Sequence, residues 1–214
     1  MNKIHHISFI MDGNKRWSKK NNEKPYKSYL KGADNLINLT KYLFDKYNID
    51  YVSAFALSSH NLNRSKTTMR MIITILDKYL DKIIIYNKKY NFNIRFIGDF
   101  NFLDEIIKNK VLTINSNQIK EYKTLIIAIN YSGQKDIENS AGSDNFHRNI
   151  STVGVPDPDI LIRTGGYNRL SDFFLYQCSF TELFFVKTLW PDFSTNKLKN
   201  IISKYLIIER KFGK

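Results

Sequence analysis

The chain has 214 residues and a formal net charge of +13, from 33 Lys and Arg against 20 Asp and Glu. Its length predicts one domain over 1–214, and its single cysteine, Cys178, excludes an intrachain disulfide. No stretch reaches the roughly 18 apolar residues of a membrane span, so we expect a soluble cytoplasmic protein. The positive charge is compatible with nucleic-acid binding, but the sequence has no zinc-ligand spacing, aromatic RNA-binding signature or unbroken basic tail, so we predict no nucleic-acid partner.

The first predicted strand ends in an acidic turn. An apolar run over 7–11 suits a strand that is buried on both faces, and Asp12-Gly13-Asn14 follows it before a basic segment that is compatible with a helix. A carboxylate at the carboxyl end of a parallel strand, beside a helix N-terminus, lies where open α/β sheets hold their ligands. We therefore predict an anionic ligand carrying a metal at this turn. The alternative is that Asp12 only caps the helix.

A dense run of lysine and arginine begins at this turn and extends over 15–31. Such a run suits diphosphates and an anionic membrane surface equally. Beyond it, apolar positions at helical spacing predict an amphipathic helix over 33–47. A second buried strand, predicted over 51–57, ends in a polar loop that contains Asn61 and Arg64.

Strands and helices continue to alternate along the rest of the chain. The apolar spacing predicts helices over 67–86, 103–114 and 198–208, and strands over 92–97, 124–130 and 160–162. Alternation of this kind predicts an α/β fold with a mostly parallel central sheet, flanked by helices and joined by right-handed crossovers. The broad apolar stripe of the helix over 67–86 is typical of core packing.

The strand over 160–162 ends in a group of anion-binding residue types. Arg163 follows the strand directly, and Arg169 and Ser171 follow a Gly165-Gly166 turn. Two guanidinium groups supply charge-assisted hydrogen bonds, the serine adds a donor, and the glycines let backbone N–H groups approach an oxyanion. The pattern predicts an anion site of a kind that suits a diphosphate.

Together, these segments resemble the signatures of the cis-prenyltransferases, the family of the undecaprenyl and dehydrodolichyl diphosphate synthases. The resemblance begins with Met-Asp-Gly-Asn followed by Arg-Trp and covers nearly the whole chain. The matching segments are 11–17, 58–64, 95–99, 130–137, 156–171 and 180–193.

The resemblance implies a homodimeric enzyme with an apolar tunnel, partly walled by the helix over 67–86. It implies that the chain joins isopentenyl diphosphate to an allylic diphosphate such as farnesyl diphosphate and forms a new cis double bond at each addition. The expected product is a long-chain polyprenyl diphosphate, undecaprenyl diphosphate by default, and a peripheral contact with a membrane would suit so apolar a product.

The resemblance also assigns expected roles to single residues. Asp12 matches the essential aspartate that handles Mg²⁺ and the diphosphate leaving group, and Glu182 matches a carboxylate that reaches the metal or diphosphate across the dimer interface. Asn61 and Arg64 are further catalytic candidates, for the step that removes a proton. The matches to substrate-binding positions are Gly13, Asn14, Arg16 and Trp17 around the allylic diphosphate, and Arg163, Arg169 and Ser171 around isopentenyl diphosphate.

Several residues depart from the family pattern and keep other activities open. Lys15 stands where Gly is usual, and the segment Glu138–Asp159 is shorter than in relatives. The remaining departures, each with the residue that is common in the family, are Pro25 for Arg, Tyr29 for His, His60 for Glu, Leu62 for Trp, Tyr167 for Glu, Asn168 for His and Phe180 for Tyr. A short-chain or branched prenyl diphosphate synthase of the same fold, or a non-catalytic binding subunit, therefore remains an alternative.

Overall fold

A computed structural model describes residues 3–119, 121–141 and 145–210, with the backbone alone over 85–90. Its strands are β1 His6–Ile10, β2 Tyr51–Ser58, β3 Asn93–Ile97, β4 Thr124–Tyr131, β5 Ile160–Arg163 and β6 Glu182–Phe185. Its α-helices are α1 Asn14–Lys20, α2 Pro25–Tyr47, α3 Lys66–Tyr90, α4 Glu105–Ser116, α5 Gly133–Ala141, α6 Phe146–Asn149 and α7 Thr195–Leu206. Two 3₁₀ turns cover Ser59–Asn63 and Trp190–Asp192.

The six strands form one sheet in the order β3-β4-β2-β1-β5-β6, and every pairing is parallel. The predicted α/β class and parallel sheet are therefore confirmed. β2 pairs with one edge of β1, and β5, which comes much later in the chain, pairs with the other edge. The carboxyl ends of β1 and β5 thus form the topological switch point at which sheets of this kind leave a crevice for a ligand.

Most predicted elements appear close to their expected bounds, and the largest difference is at the start of α2. The helix predicted over 33–47 begins at Pro25. Proline fits the first helical position because its missing N–H would have no intrahelical partner there and its φ is already helical. Apolar spacing did not reveal this first part of the helix, since its buried residues, Ser28 and Gly32, have no apolar side chain.

The sheet buries an apolar layer on each face. The larger layer includes Leu39 and Leu43 of α2, Leu80 of α3 and Val111 of α4, and the smaller one centres on Phe173 and Phe174. Among the described residues, no helix is both long enough and apolar enough to cross a bilayer.

The segment Glu138–Asp159 completes α5 and then makes the single turn α6, with residues 142–144 outside the described ranges. Asp136 of α5 fixes the return of the chain. Its carboxylate accepts hydrogen bonds from the Ser151 N–H and hydroxyl, both at 2.9 Å, and from the Tyr131 hydroxyl at 2.9 Å. The Asp136 carboxylate thus ties this connection to the sheet, together with Arg95 of β3, which donates to the carbonyls of Ser151 and Val153.

A buried histidine lies under the amino end of β1. The Nδ1–H of His6 donates to the carbonyl of Pro156 at 2.7 Å, so Nε2 is the acceptor for the Ser53 hydroxyl at 2.9 Å. Burial lowers the pKa of His6 from 6.5 to about 4, against the smaller raising effects of the Pro156 carbonyl and Asp159. The folded protein therefore holds a neutral imidazole at a pH where the unfolded chain is protonated.

We expect the free energy of unfolding to fall as the pH drops from 7 to 5. Because the folded pKa of His6 is depressed, its contribution is complete above about pH 6.5 and is lost as the pH approaches about 4. The part lost by pH 5 is about 2 kcal/mol. Urea unfolding at both pH values measures it. The variant His6→Gln, which has no proton to gain, should show a difference between the two pH values that is smaller by this amount; an unchanged difference contradicts the assignment.

Candidate functional site

A polar pocket opens at the switch point between β1 and β5. It is bordered by residues that follow the carboxyl ends of β1, β2 and β5. The charged or hydrogen-bonding members of its lining are Asp12, Asn14, Lys15, Arg16, Tyr29, Ser58, His60, Asn61, Arg64, Gln134, Arg163, Arg169, Ser171 and Asp172. The structure thus brings together all but two of the residues predicted to take part in the site.

Asp12 lies at the centre of this pocket, between two guanidinium groups. Its Oδ1 accepts from Arg16 Nη2 at 3.2 Å, and its Oδ2 accepts from Arg163 Nη2 at 3.0 Å. The helix α1 is capped by Gly13 without any side-chain hydrogen bond. The alternative that Asp12 serves as a helix cap is therefore wrong, because its carboxylate faces the arginines.

Arg163 is the most buried cation of the site, with 4% of its side chain exposed. Its Nη1 donates to the Ser171 hydroxyl at 2.6 Å and to the carbonyl of Arg169 at 2.5 Å. The remaining nitrogen, Nε, is buried without a hydrogen-bond partner among the described residues. A buried charge with an unused donor costs free energy unless an anion reaches it.

The backbone of the turn after β5 is built around Arg16. Gly165 has φ +85°, and a Cβ at this position would lie 2.5 Å from Arg16 Nη2. Arg16 Nη1 also donates to the carbonyl of Gly165 at 2.6 Å. The glycine is required both for its left-handed backbone and for the space that the guanidinium occupies.

A strained loop positions Ser171. Ser171, Asp172 and Phe174 all have positive φ values, of 53°, 68° and 49°. Non-glycine residues hold this conformation only where their surroundings enforce it. Here Phe173 and Phe174 are fully buried, and Phe173 stacks on Phe55 of β2 at 4.6 Å. Aromatic packing under the sheet therefore holds the loop that brings the Ser171 hydroxyl to Arg163.

The polar loop after β2 supplies the other side of the pocket. Arg64 Nε donates to the Asn61 side-chain carbonyl at 3.0 Å, and Arg64 Nη1 donates to the Tyr29 hydroxyl at 3.1 Å. His60 Nε2 lies 3.5 Å from Asp172 Oδ2. Two of the departures from the family pattern, Tyr29 and His60, thus contact residues of the pocket directly.

An apolar pocket adjoins the polar one, between α2, α3 and the sheet. Its empty volume, counted together with the open solvent at its mouth, is about 980 Å³. Its lining includes Leu36 and Ile37 of α2, Ile73 and Leu76 of α3, and Phe96 of β3. The residues that line both pockets are Met11, Asn14, Tyr29 and Ala56. A ligand with a charged head and an apolar tail fits across this junction.

Two predicted site residues do not reach the pocket. Trp17 is buried, and its Nε1 donates to Asp192 Oδ1 at 2.7 Å, so the prediction that Trp17 contacts substrate is corrected to a role in packing α1. Glu182 begins the edge strand β6 and lies level with Ile7 of β1 through Ile160. It therefore lies on the order of 15 Å from Asp12 along the strand direction.

The donor set of the pocket fits Mg²⁺ that is bound together with a diphosphate. The acidic residues in the lining are Asp12 and Asp172, and the described residues contain no cluster of three or more His, Cys, Asp or Glu that could hold a metal alone. Mg²⁺ commonly binds through one or two carboxylates and substrate phosphates. Asp12 would be the ligand from this chain.

The sequence did not single out Thr164, whose side chain joins the ends of β1 and β5. Its hydroxyl donates to the Asp12 carbonyl at 2.8 Å and accepts from the Asp12 N–H at 3.0 Å. A threonine after a strand has no sequence signal for this role, because its partner lies 152 residues away. Only its position directly after Arg163 indicated that Thr164 could belong to the site.

Comparison with known proteins finds similarity over nearly the whole chain. A family model described as putative undecaprenyl diphosphate synthase matches residues 10–213. The isoprenyl transferase of Helicobacter hepaticus is 34% identical, over 97% of this chain and 96% of that protein.

Two crystal structures share the fold. Lavandulyl diphosphate synthase from Lavandula x intermedia, solved with dimethylallyl diphosphate, superposes with a TM-score of 0.90 at 26% identity, covering 99% of each chain. A probable undecaprenyl diphosphate synthase from Campylobacter jejuni superposes with a TM-score of 0.83 at 28% identity, covering 100% of each chain.

We expect Gly165→Ala to weaken anion binding more than Gly166→Ala does. Both glycines have a left-handed φ, +85° and +81°, so both substitutions should lower the free energy of unfolding by about 1–2 kcal/mol. Only the Cβ at Gly165 would collide with Arg16, since the nearest atom to a Cβ at Gly166 is 3.8 Å away. Calorimetric titration with inorganic pyrophosphate should show the loss for Gly165→Ala alone. Equal affinities of the two variants would contradict the role given to Arg16.

Proposed function

The chain belongs to the undecaprenyl diphosphate synthase family of prenyltransferases, and from this membership we propose that it extends an allylic diphosphate with isopentenyl diphosphate to make a long-chain polyprenyl diphosphate. The observation that carries the proposal is the junction of the two pockets. A cationic pocket that suits a diphosphate opens directly into an apolar pocket that suits a prenyl chain.

The arginines bind the diphosphate groups in this proposal. A diphosphate that enters the pocket competes with Asp12 for Arg16 and Arg163, and it offers an acceptor to the unused Arg163 Nε. The exchange frees the Asp12 carboxylate, which would then be available to hold Mg²⁺ together with the diphosphate. Arg16 and the Gly13-Asn14 turn hold the allylic diphosphate, and Arg163, Arg169 and Ser171 hold isopentenyl diphosphate.

The reaction then breaks the carbon–oxygen bond of the allylic diphosphate and forms a carbon–carbon bond to isopentenyl diphosphate, which loses a proton. Negative charge develops on the departing pyrophosphate, and the fixed guanidinium groups stabilise it. Mg²⁺, when bound, neutralises part of that charge. Asn61, oriented by Arg64, is the candidate for assisting proton removal.

Product length is proposed from the apolar pocket and from the relatives. The family model and the Campylobacter jejuni structure carry the undecaprenyl name, and undecaprenyl diphosphate is the product we propose first. A second candidate is a short or branched product, because the higher of the two TM-scores, 0.90, belongs to lavandulyl diphosphate synthase.

A second copy of the chain would supply Glu182. The edge strand β6 has no neighbour on its outer side among the described residues, and Phe180 and Leu183 beside Glu182 are exposed by 65% and 41%. Since Glu182 lies far from Asp12 in its own chain, we propose a homodimer in which Glu182 approaches the partner's pocket. Exposed apolar side chains such as those at this edge are typical of protein–protein interfaces.

We also propose contact with a membrane surface during product release. Each methylene group that leaves water contributes about 0.8 kcal/mol, so a long prenyl chain partitions strongly into lipid. The basic run over 15–31 would face anionic headgroups.

The proposal predicts that Asp12→Asn abolishes turnover while Asp192→Asn does not. Purified protein is given farnesyl diphosphate, radiolabelled isopentenyl diphosphate, Mg²⁺ and detergent, and the products are sized by chromatography. Both variants exchange a carboxylate for an amide of the same shape, but the Asp192 carboxylate accepts from Trp17 and Lys31 outside the pocket. The loss for Asp12→Asn should be on the order of a thousandfold, several kcal/mol of transition-state stabilisation.

A wild-type chain that binds isopentenyl diphosphate without turnover would indicate the non-catalytic binding subunit instead. Retention of more than about a tenth of wild-type turnover in Asp12→Asn, a loss under about 1.4 kcal/mol, would sink the role given to Asp12.

A further prediction concerns product length. Leu76→Trp should shift the products toward shorter chains, because the indole fills part of the apolar pocket that Leu76 lines. The matched control is Ile84→Trp, since Ile84 lies on the same helix but is exposed and outside the described lining. The same chromatography measures both variants. Identical product lengths for Leu76→Trp and the wild type would show that the growing chain does not occupy this pocket.

A further inference from the structure

The ring of Tyr167 lies among three arginine side chains. The guanidinium carbons of Arg169, Arg16 and Arg163 lie 4.3, 4.9 and 5.7 Å from its centroid. All three arginines line the polar pocket, whereas Tyr167 is not in the described lining. The ring therefore contacts the pocket through the arginines that surround it.

Arg169 depends on this ring more than the other two arginines do. Arg16 and Arg163 are each fixed by hydrogen bonds to Asp12 and to backbone or side-chain oxygens. Among the residues that the structure describes, the Arg169 guanidinium forms no hydrogen bond and no ion pair. Its contact is the cation–π interaction with the ring of Tyr167. Without the ring, a long and exposed side chain would sample many rotamers.

The charge of the pocket explains why a neutral ring suits this position. Its lining contains the cations Lys15, Arg16, Arg64, Arg163 and Arg169 against the carboxylates Asp12 and Asp172. The face of an aromatic ring carries partial negative charge and attracts guanidinium groups. A carboxylate here would form ion pairs with the arginines and reduce their attraction for an incoming anion, whereas a ring holds them together without using any of their N–H donors.

We infer that Tyr167 is a positioning residue that holds Arg169, and with it Arg16, in the geometry that binds the diphosphate groups of the substrates. The inference rests on the proposed function, because it assigns those arginines to diphosphates. It extends that function by adding a specificity element, a neutral aromatic centre within a cluster of cations, that raises affinity for diphosphate without touching it.

The test is calorimetric titration of the full chain with inorganic pyrophosphate, at low and at high salt. Tyr167→Leu should weaken binding about tenfold, which is about 1.4 kcal/mol, as expected from the loss of two or three exposed cation–π contacts. Tyr167→Phe keeps the ring face and should bind within about twofold of the wild type. Tyr167→Glu should bind more weakly and with a smaller dependence on salt, because the added carboxylate neutralises one arginine.

Tyr122→Leu is the matched control. Tyr122 is exposed to a similar degree, 44% against 42% for Tyr167, and lies before the amino end of β4, at the opposite end of the strands. It should leave pyrophosphate affinity unchanged. In steady-state assays, Tyr167→Leu should raise KM for the diphosphate substrates more than it lowers kcat, a division that a loss of folded protein would not produce.

The outcomes separate this inference from the function on which it rests. A wild-type chain that does not bind pyrophosphate contradicts the proposed function. Wild-type binding together with unchanged affinity in Tyr167→Leu overturns the inference, and so does a Tyr167→Phe variant as weak as Tyr167→Leu, since the hydroxyl would then carry the effect. Should Tyr167→Leu fail to fold, Tyr167→Gln gives the same comparison.

Discussion

The ion pairs of Asp12 with Arg16 and Arg163 are the interaction on which the rest of the site depends. The pair with Arg163 joins the ends of β1 and β5, two strands that are adjacent in the sheet although more than 140 residues separate them in the chain. One partner, Arg163, is almost fully buried, and a buried charge without its counterion is strongly destabilising. The Asp12 carboxylate therefore neutralises the buried guanidinium of Arg163. A competing anion binds most favourably where it can take over this role.

The free energy that this arrangement costs is offset by the smaller apolar layer of the sheet. Left-handed backbone at Ser171, Asp172 and Phe174 is unfavourable for residues with a Cβ. The fully buried rings of Phe173 and Phe174 oppose it, since moving the loop would expose both to water. The smaller apolar layer of the sheet thus holds the loop whose Ser171 hydroxyl reaches Arg163 at the end of β5.

The position of the apolar pocket follows from the same sheet. Because α2 and α3 both cross the face of β2, β3 and β4, the space between them lies beside the end of β1, where Asp12 begins the polar pocket. Met11 and Asn14 lie on either side of Asp12 and line both pockets. A charged head and an apolar tail are therefore held by consecutive residues of one turn, so a shift of this turn would alter both binding regions together.

The sequence alone determined the fold class, the first five strands and most residues of the polar pocket, but it did not predict α5, α6 or β6. The predicted features follow from local patterns, since apolar periodicity defines strands and helices, and residues after the carboxyl ends of parallel strands converge at one edge of the sheet. Only the tertiary structure decided which groups meet. It buried Trp17 against Asp192, separated Glu182 from Asp12, placed the Thr164 hydroxyl on the backbone of Asp12, and surrounded Tyr167 with three arginines. Such contacts join residues far apart in the chain, and the packing of whole elements sets their geometry, which no local pattern encodes.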